Sequence, residues 1–215
     1  MLARWMMLLI ALTFVGCAAP SDDRWRMFND EGVVLFAKGD YGNALDSFDY
    51  ALTMRPQDPV LLYNAAQCYD RLGNVKKAEE LYAYVLQRDA KHGDSRMALV
   101  SLKYRTNRAA EANQQIAEWL KNEPLVADAH VADAWRLRQE KAYPQAQARL
   151  QTALSLEQQN RRGLTELAIL HELQGQPDRA LALYEQILLN DPGQIEIRGR
   201  SESLKAKGVR APMPN

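Results

Sequence analysis

WRMFNDEGVVLFAKGDYGNALDSFDYALTMRPQD, residues Trp25 to Asp58, decides the fold. Displaced by 34 residues, the stretch fits the chain again four more times. Ala44 recurs as Ala78, Ala112, Ala146 and Ala180, and Leu52 recurs as Leu86, Leu120, Leu154 and Leu188. No insertion breaks the register, so the chain divides into units 25–58, 59–92, 93–126, 127–160 and 161–194. A fixed period of this size marks a solenoid, in which each unit buries its apolar face against its neighbours.

Within the first unit, Phe28, Gly32 and Leu35 recur at helical spacing. Gly39 offers the positive φ that ends a helix. A second apolar stripe follows in Tyr41, Ala44, Leu45, Phe48, Ala51 and Leu52, and Pro56 closes the pair. Gly32 and Ala44 are small where the two helices meet, and a larger side chain there would push the axes apart. The second unit is entered through Asp58 and Pro59, an N-cap and a first helical residue, and turns at Gly73. The third unit departs from the pattern. Arg96 and Lys103 stand where the other units are mostly apolar, Trp119 takes the place of Ala51, and Asn107 replaces the turn glycine. The fourth and fifth units return to it, with Pro144 tolerated at a helix start and Gly175 at a turn. A charged helix over 195–207 then reads as the solvating cap of the array, and 208–215 reads as a loose tail.

Each unit resembles a tetratricopeptide repeat, a helix–turn–helix of this period. The resemblance implies an all-α, right-handed superhelical solenoid of five units plus the capping helix, with a concave groove lined by the first helices. It also implies a role in protein–protein interaction. The expected partner is a protein or peptide in that groove, and no cofactor, metal or small-molecule substrate is expected.

The groove-facing positions carry Tyr63, Asn64 and Arg71 in the second unit, Tyr104 and Arg105 in the third, and Trp135 and Arg138 in the fourth. Aromatic residues and arginines are enriched at binding hot spots, and arginine can grip a carboxylate with two hydrogen bonds. Tyrosine at such places is also common in the family for packing alone. Asn64 matches an asparagine with which some members bind a peptide backbone. The lysines and second asparagine of the chaperone-tail carboxylate clamp are absent, their places being held by Asn29, Val33, Asp94 and Ala98.

Catalytic signals are lacking. No G-x-S-x-G, Walker or dinucleotide pattern occurs, and His92, His130 and His171 lie at no metal-ligand spacing. The chain is therefore not read as an enzyme. Lys+Arg and Asp+Glu are 27 each, which argues against a nucleic-acid partner because phosphate binding needs a basic surface. Cys17 and Cys68 make no redox or metal pair, and Cys68 reads as a small buried residue.

The N-terminus carries an address. After Arg4, an apolar run from Trp5 to Val15 is interrupted only by Thr13. A helix of that length spans about 16 Å, against a hydrocarbon core of about 30 Å. The run is too short to cross and reads as a signal peptide over 1–16. Its end, Phe14-Val15-Gly16-Cys17, is similar to the bacterial lipobox, with phenylalanine where leucine is usual. This implies a mature chain that begins at an acylated Cys17, joined by a tether over 17–24 to the first unit. Ala18 after the cysteine implies the outer membrane, facing the periplasm. The reading is a lipid-anchored scaffold in a bacterial envelope assembly, such as pilus or secretin biogenesis. Two alternatives stand beside it: a partner of cell-wall enzymes, and a structural module without a groove ligand. Cys17→Ser is expected to abolish metabolic labelling by a fatty acid while the repeats stay folded. Equal labelling of parent and variant, or of neither, contradicts the anchor.

Overall fold

The computed structural model describes residues 23–212. These form eleven α-helices and no strand. The helices are α1 (Arg24–Ala37), α2 (Tyr41–Met54), α3 (Pro59–Arg71), α4 (Val75–Arg88), α5 (Gly93–Arg105), α6 (Ala109–Asn122), α7 (Ala127–Gln139), α8 (Tyr143–Leu156), α9 (Arg161–Leu173), α10 (Pro177–Asn190) and α11 (Ile195–Ala206). From α2 onward, helices of the same parity begin 34 residues apart. Each odd helix pairs with the next even one, and each even helix packs on the following odd one, which makes an all-α solenoid.

The same local bonds are repeated at each corner. Asp40, Asp58, Asn74, His92 and Asn160 cap α2, α3, α4, α5 and α9 through side chains that accept from backbone N–H groups of the first turn. Within the units, the N–H of Asp40, Asn74, Arg108, Ala142 and Gln176 donates to the carbonyl of Leu35, Tyr69, Lys103, Leu137 and His171, respectively. This is the Schellman closure, and it needs a left-handed residue just before the donor. Gly39, Gly73 and Gly175 supply it without strain. In the third and fourth units Asn107 and Lys141 adopt it instead, each at φ 61°. Such a conformation costs roughly 1 kcal/mol for a residue with a Cβ.

Packing within each unit is set by the small residues. Ala44, Ala78, Ala112, Ala146 and Ala180 are all fully buried. A Cβ on Gly32 would lie 2.6 Å from the Phe48 ring, so the aromatic ring takes the space that the glycine leaves. The third unit breaks this economy twice. Trp119 occupies the register of Ala51, Val85, Ala153 and Ile187, and Val100 occupies that of Gly32, Ala66, Ala134 and Ala168. Both are buried, and α5 and α6 pack less closely than any other pair within a unit. A cavity of about 240 Å³ opens beside them, lined by Leu86, Leu99, Val100 and Trp119. The two charges flagged in this unit are absorbed locally. Arg96 lies 4.6 Å over the Trp119 ring and bonds Glu123 at 2.8 Å, and buried Lys103 reaches Glu111 at 3.3 Å.

At the far end α11 lays Ile197 and Leu204 on Tyr184 and Ile187 of α10. The segment that follows is not wholly loose, which corrects the expectation for 208–215. Gly208 turns the chain at φ 82°, Val209 N–H donates to the Leu204 carbonyl, and Val209 and Ala211 join the last core cluster. Among the described residues no helix is long and apolar enough to cross a membrane.

Ala146→Leu adds volume at a position with no exposed surface. Thermal melting is expected to show a loss of about 1–3 kcal/mol. Ala148→Leu, on the exposed side of the same helix, is expected to leave the melting curve in place. Equal behaviour of the two variants contradicts this packing.

Candidate functional site

The first helices lie side by side, α1 with α3, α5 with α7 and α7 with α9. Their shared face holds the residues singled out above. Tyr104 on α5 and Trp135 on α7 meet edge to face, with ring centroids 4.9 Å apart. Both are half-buried, and the Tyr104 hydroxyl donates to Asn113 of α6. Tyr63 is half-buried, lying against Tyr82 and against His92, the residue that caps α5. Burial pushes the Tyr63 hydroxyl far above its ordinary pKa, so it stays protonated. Asn64 donates to Asn29 of α1 at 3.1 Å. Arg71 is exposed and lies 5.8 Å from the Phe36 and Tyr41 rings, which ties it to the first unit. Cys17 lies outside the described residues.

The two arginines do not converge on one patch with the aromatic pair. Arg105 turns back to Asp70 of α3, its Nη2 lying 2.5 Å from both carboxylate oxygens. Arg138 turns forward to Glu166 of α9, at 2.9 Å through Nε and 3.4 Å through Nη2. Arg162 of α9, a residue outside the expected set, donates to Asp94 of α5 at 2.8 Å and also to Asp128 of α7. It thereby spans three successive first helices. Asn29–Asn64, Asp70–Arg105, Asp128–Arg162 and Arg138–Glu166 form a polar ladder between neighbouring units. A sequence signal for part of it exists: Asp70 and Arg105 are 35 residues apart, as are Asn29 and Asn64. Residues one period apart, or one residue more, face each other on stacked helices.

Two of the three ladder arginines, Arg105 and Arg138, differ in availability. Arg138 and Glu166 keep only 18% and 14% of their side chains exposed, whereas Arg105 is 51% exposed. Burial raises the Glu166 carboxyl above its ordinary value, and Arg138 pulls it the other way. Cys68 is fully buried, and its thiol is raised to about 12 by burial and then by Asp49. It is therefore an inert packing residue at neutral pH. His171 accepts or donates within its own unit, to Gln176 at 2.8 Å. Among the described residues no group of three or more His, Cys, Asp or Glu is placed to hold a metal ion.

A family model described as Tetratricopeptide repeat matches residues 35–83 and 137–207, more than half of the chain. The chain belongs to the tetratricopeptide repeat family. The match lapses over 84–136, the stretch that contains Val100, Asn107 and Trp119. The solved structure of TTC0263, described as a thermophilic tetratricopeptide protein of Thermus thermophilus, is 28% identical. Its match covers 85% of this chain and 99% of that one, with a TM-score of 0.57. A Pseudomonas aeruginosa pilF structure is 16% identical, covers 85% of this chain and 82% of its own, and has a TM-score of 0.47, too low to bear on function. Among curated proteins, outer dynein arm-docking complex subunit 4 of Danio rerio is 42% identical over 48 residues. That match takes in 22% of this chain, and the chain spans 10% of the relative's length. Tetratricopeptide proteins are generally non-enzymatic scaffolds that bind protein or peptide partners in a groove.

Removing one ladder arginine exposes the chemistry of its partner. Arg138→Met leaves Glu166 buried without its cation, and is expected to cost about 2 kcal/mol or more near neutral pH. A carboxyl whose folded pKa is raised binds more protons folded than unfolded, so stability falls as pH rises through that range. The deficit of the variant is therefore expected to shrink as pH falls toward the carboxylate range. Urea unfolding at several pH values reads this, and a deficit that does not vary with pH contradicts it.

Proposed function

We propose that this tetratricopeptide protein is a lipid-anchored scaffold of a bacterial envelope assembly, with a concave face that takes an extended or helical segment of a partner. The observation that carries the groove reading is the state of Arg105. Its Nη2 is fixed by Asp70 while half of the side chain stays exposed. An arginine has five N–H donors in a fixed fork. A guanidinium aimed in advance by a carboxylate loses less freedom on meeting a ligand. Such a fork suits an acidic or C-terminal carboxylate, and the separate Tyr104–Trp135 pair suits an apolar side chain elsewhere on the same segment.

The anchor at Cys17 rests on the Phe14-Val15-Gly16-Cys17 sequence. An acylated cysteine holds the array at a membrane surface, where several acyl chains bind stably and one binds marginally. Residues 18–24 would keep the first unit close to that surface, at the outer membrane facing the periplasm if Ala18 acts as it does in sorted lipoproteins. Pilus or secretin biogenesis is the kind of assembly such a scaffold serves.

Arg105→Ala is expected to weaken capture of the partner from a detergent extract of the native envelope by about thirtyfold, whereas Asp70→Asn, which loosens the same tie but keeps the guanidinium, is expected to retain capture. Replacing Lys76 and Lys77, exposed on α4, is expected to do nothing. Undiminished capture by Arg105→Ala moves the binding surface elsewhere.

A further inference from the structure

Along the array, each first helix after α1 is covered on one side by the second helix of the preceding unit. In α3 the covered positions include Ala65 and Cys68, packed on Ala44 and Phe48 of α2. In α5 they include Leu99 and Leu102, packed with Ala78 and Tyr82 of α4. In α11, Ile197 and Leu204 lie on Tyr184 and Ile187 of α10. The same register in α1 brings Met27, Glu31 and Val34, one period before Leu61, Ala65 and Cys68. They fall at i, i+4 and i+7, on one face of the helix. Leu61, Ala65 and Cys68 are buried, whereas Met27 is 59% exposed, Val34 is 45% exposed and Glu31 is exposed.

We propose that this end face of α1 is the seat of one amphipathic helix from a partner protein, lying where the second helix of a preceding unit would lie. It continues the interface that is repeated along the solenoid, and it stands apart from the groove reading. Glu31 sets the chemistry of the occupant. The other carboxylate at this register, Asp133, is buried and is held by Arg149 and Arg136, both at 2.7 Å. A helix that covers Glu31 has to bring a lysine or arginine to it, between two apolar residues that meet Met27 and Val34. A carboxylate taken out of water without a cation is strongly disfavoured. A second copy paired about the middle of this face does not meet this requirement, because that two-fold sets Asp30 and Glu31 against their own duplicates. The chain's own apolar run, Trp5 to Val15, contains no lysine or arginine.

The test places a photoreactive residue at Val34 in the full chain, in the cells that make it, and sequences the crosslinked segment. The result expected is a partner segment with two apolar residues seven apart and a basic residue between them. Glu31→Lys should cut that crosslink by about tenfold at an unchanged melting temperature, and a Lys-to-Glu or Arg-to-Glu change in the partner should restore it. Crosslinks that map only to residues 1–22, to a second copy or to lipid overturn the proposal. So does the absence of any crosslink, or a yield that Glu31→Lys leaves unchanged.

Discussion

Everything in this molecule depends on how closely two helices approach at one small residue per unit. Ala44, Ala78, Ala112, Ala146 and Ala180 are completely enclosed, and each faces a first helix that is itself small or shaped to fit, as Gly32 is to Phe48. Helix axes 8–10 Å apart leave room for little more. Because the contact recurs every 34 residues, one local geometry is copied along the chain. In an array of this kind, stability is close to a sum of such neighbour terms. A change at one alanine is therefore felt by the adjoining units.

The same spacing builds the face proposed to take a partner. Stacking in register brings residues one period apart to the same height on adjacent first helices, and the chain uses this to tie units together with polar bonds. Asp128–Arg162 is of this type, and Asn29–Asn64 and Asp70–Arg105 are one residue longer. The ladder aligns the walls of the groove and fixes side chains that a ligand would otherwise have to order. Arg105 remains half exposed within it, whereas Arg138 is given over to Glu166. One face thus carries both a structural strut and a candidate contact, although the sequence offers both arginines alike as groove-facing residues.

The helices, their turns and the unusual third unit were legible because they follow from period and residue size. Gly39, Gly73 and Gly175 announced their turns, and Asn107 could be placed by register. The strained φ of Lys141 could not be read from its side chain, since lysine has no preference for that region; the turn imposes it through the bond from Ala142 to Leu137. Arg138–Glu166 escaped notice because the partners are 28 residues apart, short of a full period, and meet only through the reach of a long side chain. Val100 was visible in register beside Gly32 and Ala66, yet its effect depends on Trp119 standing in the same unit. The docking of Val209 and Ala211 follows from a chain reversal at Gly208 that composition does not signal.

Val100 and Trp119 together make the third unit a joint between two better-packed blocks. Its helices are the least closely packed pair within a unit, a cavity of about 240 Å³ lies beside them, and the family pattern lapses across it. Native-state hydrogen exchange tests this most directly, because protection reports the free energy of local opening. The amides of α5 and α6 are predicted to exchange sooner than those of α3–α4 and of α7–α8 under identical conditions. Protection in α5 and α6 equal to or greater than that of both neighbouring units would contradict the claim that residue size where the two helices of a unit meet governs the packing of the whole.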